Sequence, residues 1–104
     1  MVRLTVMYPQ TADSTFDLDY YLTKHMPLAR ERLSTSGLTA THIDEGLGGG
    51  APGEPAPYTV ICTFTFETMD GLQGAMAAHG GELIGDIPNF TNVQPRLQVS
   101  QVRD

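Results

Sequence analysis

The stretch Tyr58-Thr59-Val60-Ile61-Cys62-Thr63-Phe64-Thr65-Phe66 alternates without a break. Tyr58, Val60, Cys62, Phe64 and Phe66 fall on one side of an extended chain, and Thr59, Ile61, Thr63 and Thr65 on the other. Strand side chains point alternately to two faces, so this is a strand with one strongly apolar face. After it, Thr68 or Asp70 supplies a helix N-cap, and Leu72, Met76 and His79 lie in the predicted helix, with Gly80-Gly81 as its expected stop. Glu82 to Phe90 reads as a short helical turn and loop. Val93 to Val102 is a last strand, with Val93, Leu97 and Val99 on one side and Gln94, Gln98 and Ser100 on the other. Pro95 suits an edge or a bulge near its start.

Toward the N-terminus, Val2, Leu4, Val6 and Tyr8 alternate with Arg3, Thr5 and Met7. That predicts a strand over residues 2–8, stopped by Pro9. Asp17 is a candidate N-cap. Leu18, Tyr21, Leu22, His25, Leu28, Ala29 and Leu33 then follow helical spacing. Pro27 cannot donate to the carbonyl of Thr23, which predicts a kink or short break around Lys24–Met26. Gly37 is the expected end. Leu38 to Glu45 is a weaker strand, and the glycine- and proline-rich residues 46–57 read as a mobile loop. The order is βαββαβ, the α+β ferredoxin-like plan: one antiparallel sheet with both helices on a single face. At 104 residues it is expected to be one domain, residues 1–104.

Six basic residues against twelve acidic ones give a formal charge of −6. A nucleic-acid binder needs a basic face, and so does a protein docking on an anionic membrane, so neither partner is expected. Cys62 is the single cysteine, which excludes an intrachain disulfide. Met1 to Val6 carries no secretory pattern, and no apolar run approaches the roughly 18 residues of a spanning helix. The expected compartment is the cytoplasm. His25, His42 and His79 lie far apart and form no His-x-His or Glu-x-x-His pattern, so no metal is expected. Gly46-Leu47-Gly48-Gly49-Gly50 matches neither the dinucleotide fingerprint nor a P-loop, so no cofactor is expected.

Helices on one side leave the other sheet face to solvent, yet its expected residues are mostly neutral. They are Thr5, Met7, Thr39, Thr41, Ile43, Thr59, Ile61, Thr63, Thr65, Gln94, Gln98 and Ser100, with Arg3, Glu45 and Arg96 toward the strand ends. Threonine is a good solvent-side strand former, but a small uncharged face also suits a covered one. The expected cover is a second copy, giving a homodimer whose two sheets close a barrel.

The segment Phe16-Asp17-Leu18-Asp19-Tyr20-Tyr21-Leu22-Thr23-Lys24-His25-Met26-Pro27-Leu28 puts Tyr21 and His25 four apart on one helical face. A histidine beside a phenol is a candidate acid–base pair. Spacing alone favours the plainer reading, a core histidine satisfied by the Tyr21 hydroxyl or the Thr23 carbonyl. Together with Asp86-Ile87-Pro88-Asn89-Phe90-Thr91-Asn92, this segment resembles the EthD family, proteins first associated with ethyl tert-butyl ether degradation. The resemblance covers essentially the whole chain and implies a dimeric α+β barrel. It also implies an oxidoreductase-type or cofactor-free enzyme, monooxygenase- or cyclase-like, acting on a small hydrophobic, aromatic or polyketide-like molecule. The alternative is a non-catalytic ligand-binding accessory protein. By the same resemblance the ligand lies between sheet and helices, lined by Tyr8, Tyr21, His25, Cys62, Phe64, Met76, His79 and Phe90, with His25 and Tyr21 as its catalytic groups. His79 has a second reading, a helix-end histidine favoured by the dipole. Cys62 is expected to be inert packing, and His42 structural or exposed.

Overall fold

The computed structural model describes residues 1–104. Four strands, β1 (Val2–Pro9), β2 (Leu38–Glu45), β3 (Tyr58–Phe66) and β4 (Arg96–Gln101), form one antiparallel sheet in the order β2-β3-β1-β4. The fold is the α+β, ferredoxin-like plan that the alternation predicts. Val2, Leu4, Val6 and Tyr8 stand opposite Phe66, Phe64, Cys62 and Val60, and all eight are buried. Residues directly opposite in a ladder share a face, so these pairs form the floor on which the helices pack.

The first helical segment has three parts: α1 (Leu18–Tyr20), a wide π-type turn over Tyr21–His25, and α2 (Met26–Leu33). Asp17 caps it, its carboxylate accepting from the Tyr20 N–H at 3.1 Å. The expected break at Lys24–Met26 is a widened turn beginning at Tyr21. With no N–H on Pro27 to draw the chain into regular α-bonds, the Met26 N–H reaches back five residues to the Tyr21 carbonyl. Tyr21, His25, Met26, Ala29 and Leu33 are buried from this segment. Gly37 ends it after a 3-10 turn, Ser34–Ser36, at φ +84°, a left-handed conformation that glycine adopts without strain.

The second helix, α3 (Met69–Asp86), is capped by Thr68, whose hydroxyl accepts from the Gly71 N–H at 3.0 Å. It does not stop at Gly80-Gly81 as expected. Leu72, Ala75, Gly80, Leu83 and then Ile87 form a continuous buried stripe, so packing on the sheet carries the helix through two residues of poor propensity. His79 is therefore inside the helix and not at its end.

Two further expectations change. The last strand, expected over residues 93–102, starts only at Arg96, because Pro95 before it offers no N–H to the ladder. In β2 the ladder slips between Leu38 and Ala40. Beyond that bulge Thr41, Ile43 and Glu45 stand opposite Phe64, Cys62 and Val60, on the helix side. Ala40, His42 and Asp44 take the open face instead. His42 is exposed there, as its position on the weak strand suggested.

Gly81 and Gly85 lie on α3 with open space where a Cβ would stand. Gly81→Ala and Gly85→Ala should each raise the unfolding free energy by roughly 0.5–1 kcal/mol. Urea unfolding monitored by circular dichroism measures this, and a lowered midpoint would contradict the helical assignment of the Gly80-Gly81 turn.

Candidate functional site

The widened turn places Tyr21 and His25 beneath the sheet with their rings stacked, centroids 5.6 Å apart. His25 Nδ1 lies 2.9 Å from Asp86 Oδ2, and the two side chains are 7% and 16% exposed. Asp86 is the last residue of α3. Its other oxygen accepts from the Tyr20 hydroxyl at 2.8 Å and the Asn89 amide at 2.9 Å. Burial by itself raises the Asp86 carboxyl, but the bonds from His25, Asn89 and Tyr20 outweigh it and hold the group below the ordinary carboxylate value. Asp86 is thus a carboxylate at neutral pH and can only accept. The His25 proton facing it sits on Nδ1, which leaves Nε2 of the neutral ring as a base with no protein partner. The same bond raises the Tyr20 phenol.

Tyr21 is 1% exposed, and its hydroxyl has no hydrogen-bond partner. The neighbouring Cys62 thiol turns instead to the Met26 sulfur, 3.9 Å away. Burial, with smaller contributions from Cys62 and Tyr8, raises the Tyr21 phenol well above its ordinary value, so it remains an O–H donor. Burial pushes the Tyr8 phenol up as well, and the Cys62 thiol to about 11.

These groups line one apolar cavity between sheet and helices. Tyr8, Cys62 and Phe64 form its floor, Tyr21, His25 and Met26 one wall, and Met76, Leu83 and Ile84 the other. Pro95 and Leu97 stand at the β4 side. Its free volume is about 50 Å³. A dry cavity of about 150 Å³ is the scale that admits benzene, so an aromatic guest must displace side chains. Met76, half-buried and flexible, is placed to yield.

Two residues grouped with this pocket from the sequence are not on its wall. Phe90 sits behind it, 4.6 Å from His25 and 5.1 Å from Tyr21 in an aromatic cluster with Tyr8 and Phe16. His79 is on α3, beside Glu82 and away from the lining. Conversely Asp86, Tyr20 and Asn89 were not singled out, because sixty-one residues separate Asp86 from His25 and no spacing rule spans that gap. Their one signal was membership of the two motif stretches. Those stretches meet directly, the Asp17 N–H donating to the Phe90 carbonyl at 2.7 Å, and the second also holds the residues just before the first: Asn92 accepts from the Thr15 N–H and donates to the Asp13 carbonyl, and the Thr91 hydroxyl donates to the Thr15 carbonyl. No group of three or more His, Cys, Asp or Glu side chains is placed to hold a metal ion.

The model of the EthD domain matches residues 9–94. Among solved structures, an EthD-like protein from Ralstonia eutropha JMP134 is 37% identical over 99% of this chain and 92% of its own, with a TM-score of 0.92. An ethyl tert-butyl ether d (EthD) family protein from Bacillus halodurans C-125 is 20% identical over 99% of both chains, at 0.69. A dimeric ferredoxin-like protein from an uncultured marine organism is 14% identical over 100% of this chain and 96% of its own, at 0.64. No curated protein matches the chain.

The orphaned Tyr21 hydroxyl costs stability where it stands. Tyr21→Phe should raise the unfolding free energy by about 1 kcal/mol; a loss of stability in chemical denaturation would mean that the hydroxyl is already bonded. Cys62, buried and with its thiol at about 11, should resist an aromatic disulfide reagent at neutral pH until denaturant is added. Prompt labelling of the native protein would contradict its burial.

Proposed function

The chain belongs to the EthD family, and from that premise we propose that it is a homodimeric, cytoplasmic, single-domain enzyme, residues 1–104, that moves protons on a small hydrophobic carbonyl compound or phenol without a cofactor. The observation that carries this reading is the Asp86-anchored His25 beside an unpartnered Tyr21 hydroxyl in one apolar cavity. A cavity with few convergent polar groups suits a small-molecule site. Burying a carboxylate and an imidazole together is expensive, which favours a use for them beyond stability.

In this reading His25 Nε2 takes a proton from the carbon next to a carbonyl. The C–H electron pair moves into the carbon skeleton, and the negative charge collects on the carbonyl oxygen. The Tyr21 O–H donates to that oxygen, and a donor left unbonded in the resting protein is free to strengthen its bond there. Asp86 fixes the ring and steadies the imidazolium that forms. The proton then returns to carbon. Tyr8, Cys62, Phe64 and Met76 bury the oily part of the substrate, while Phe90 packs behind His25 and keeps it in place. His79 has no part in the chemistry. The free volume of about 50 Å³ favours a second reading, a carrier that swells around a ligand without changing it.

Incubation with small aryl ketones in heavy water separates the two, with deuterium at the α-carbon read by NMR. The enzyme should exchange that position. His25→Gln should slow exchange by about 10²–10⁴-fold, the usual worth of a general base. Exchange that survives unchanged in His25→Gln would remove the histidine from the chemistry, and ketone binding without exchange would establish the carrier.

A further inference from the structure

The cavity beside His25 is small, and its walls continue past its mouth. Its free volume is about 50 Å³. At roughly 10–15 Å³ for each water-sized group, that space admits about four non-hydrogen atoms. An acetyl group with the next carbon of its chain fits. An aryl ketone does not fit unless side chains move.

Ile84, Ile87, Pro95 and Leu97 line the cavity and also one part of an open groove that holds about 490 Å³. The groove lies on the helix side of the sheet, since Leu97 stands opposite Val6 of the buried floor. The helices leave β4 uncovered there. Ile84 is 55% and Leu97 48% exposed, so two large apolar side chains face water at the junction. Beyond it Pro88 and the half-buried Val93 carry the apolar surface onward.

The chemistry of the groove selects its occupant. No charged residue lines it, although the chain as a whole has a formal charge of −6. The Thr91 hydroxyl and the Asn92 amide are already bonded to residues 13–15. That leaves the exposed Gln94 amide as its free polar side chain. An ionic or sugar-like group would lose its water there with little in return, whereas a hydrocarbon chain would cover Ile84 and Leu97. A guest on its way to His25 passes this junction, and whatever the cavity cannot hold stays in the groove.

We infer that the substrate is a linear aliphatic methyl ketone, its acetyl end in the cavity and its alkyl tail in the groove between α3 and β4. The inference rests on the acid–base reading proposed above. The carbonyl oxygen accepts from the Tyr21 hydroxyl, and His25 Nε2 takes a proton from the neighbouring carbon. The C–H pair moves toward the oxygen and returns when a proton is put back on carbon. No other bond is made or broken, and no electrons leave the substrate. The tail gives affinity and takes no part in the proton transfer.

A series of ketones from 2-butanone to 2-nonanone tests this, with deuterium uptake from heavy water read by NMR and binding read separately by calorimetry. KM should fall by about two- to fourfold for each added methylene until the groove is full. kcat should change little, because the tail is held equally in the resting and reacting states. Leu97→Thr and Ile84→Gln alter half-exposed positions, with a good strand former and a good helix former. Each should shrink the advantage of 2-nonanone over 2-butanone by about threefold or more. Phenyl ethyl ketone, with as many carbons as 2-nonanone, should bind more weakly than it. A KM independent of chain length, an advantage unchanged in both variants, or tighter binding of the phenyl ketone overturns the groove and leaves the enzyme reading standing if 2-butanone still exchanges. Affinity that rises with chain length without exchange at any length overturns the enzyme reading and keeps the groove. Neither binding nor exchange overturns both.

Discussion

Pro27 has no N–H to give, and the arrangement of the site follows from that absence. The chain before it widens into a five-residue turn, with the Met26 N–H bonded to the Tyr21 carbonyl. A regular helix would carry each side chain round at even steps. The wide turn instead stacks the Tyr21 and His25 rings and buries both against the sheet. Widened turns of this kind are rare and recur at functional sites, because the lost regularity is tolerated where side-chain placement matters.

What keeps His25 in place comes from the far end of the chain. Asp86 closes α3 and meets the first helical segment at Tyr20 and His25, 2.8 and 2.9 Å away, while Asn89, in the 3-10 turn after it, donates to the same carboxylate at 2.9 Å. Thr91 and Asn92 then tie residues 13–15 to the same corner. The two motif stretches form one unit divided between the two halves of the sequence. The unit also explains why α3 runs to Asp86 despite its glycines: Leu83 and Ile87 extend the buried stripe far enough to deliver the carboxylate. Against this fully bonded carboxylate stands one unbonded phenol. Buried polar atoms are normally paired, and this orphan stands in the same cavity as His25.

The sheet divides its work between its faces. The helix side holds the apolar floor, yet the helices leave β4 uncovered, with Leu97 and Val99 nearly half exposed. The open side is less neutral than alternation alone suggested. The bulge after Leu38 turns Thr41 and Ile43 inward and sets His42 and Asp44 outward. That single slip converts a bland surface into one with separated charges at its two edges.

Strand alternation, helix spacing and the caps at Asp17 and Thr68 were local signals, and from them the sequence by itself determined the element order, the α+β plan, the apolar floor and the pairing of Tyr21 with His25. These features depend on residues within a few positions of each other, where backbone geometry allows few choices. The paired motif stretches also carried the resemblance to the EthD family. Only the tertiary structure decided that α3 passes through Gly80-Gly81, that β2 slips, that Asp86 holds His25, and that Phe90 and His79 stand off the cavity wall. Each of these is settled by burial or by a hydrogen bond between distant segments, and such contacts exist only once the chain has closed on itself.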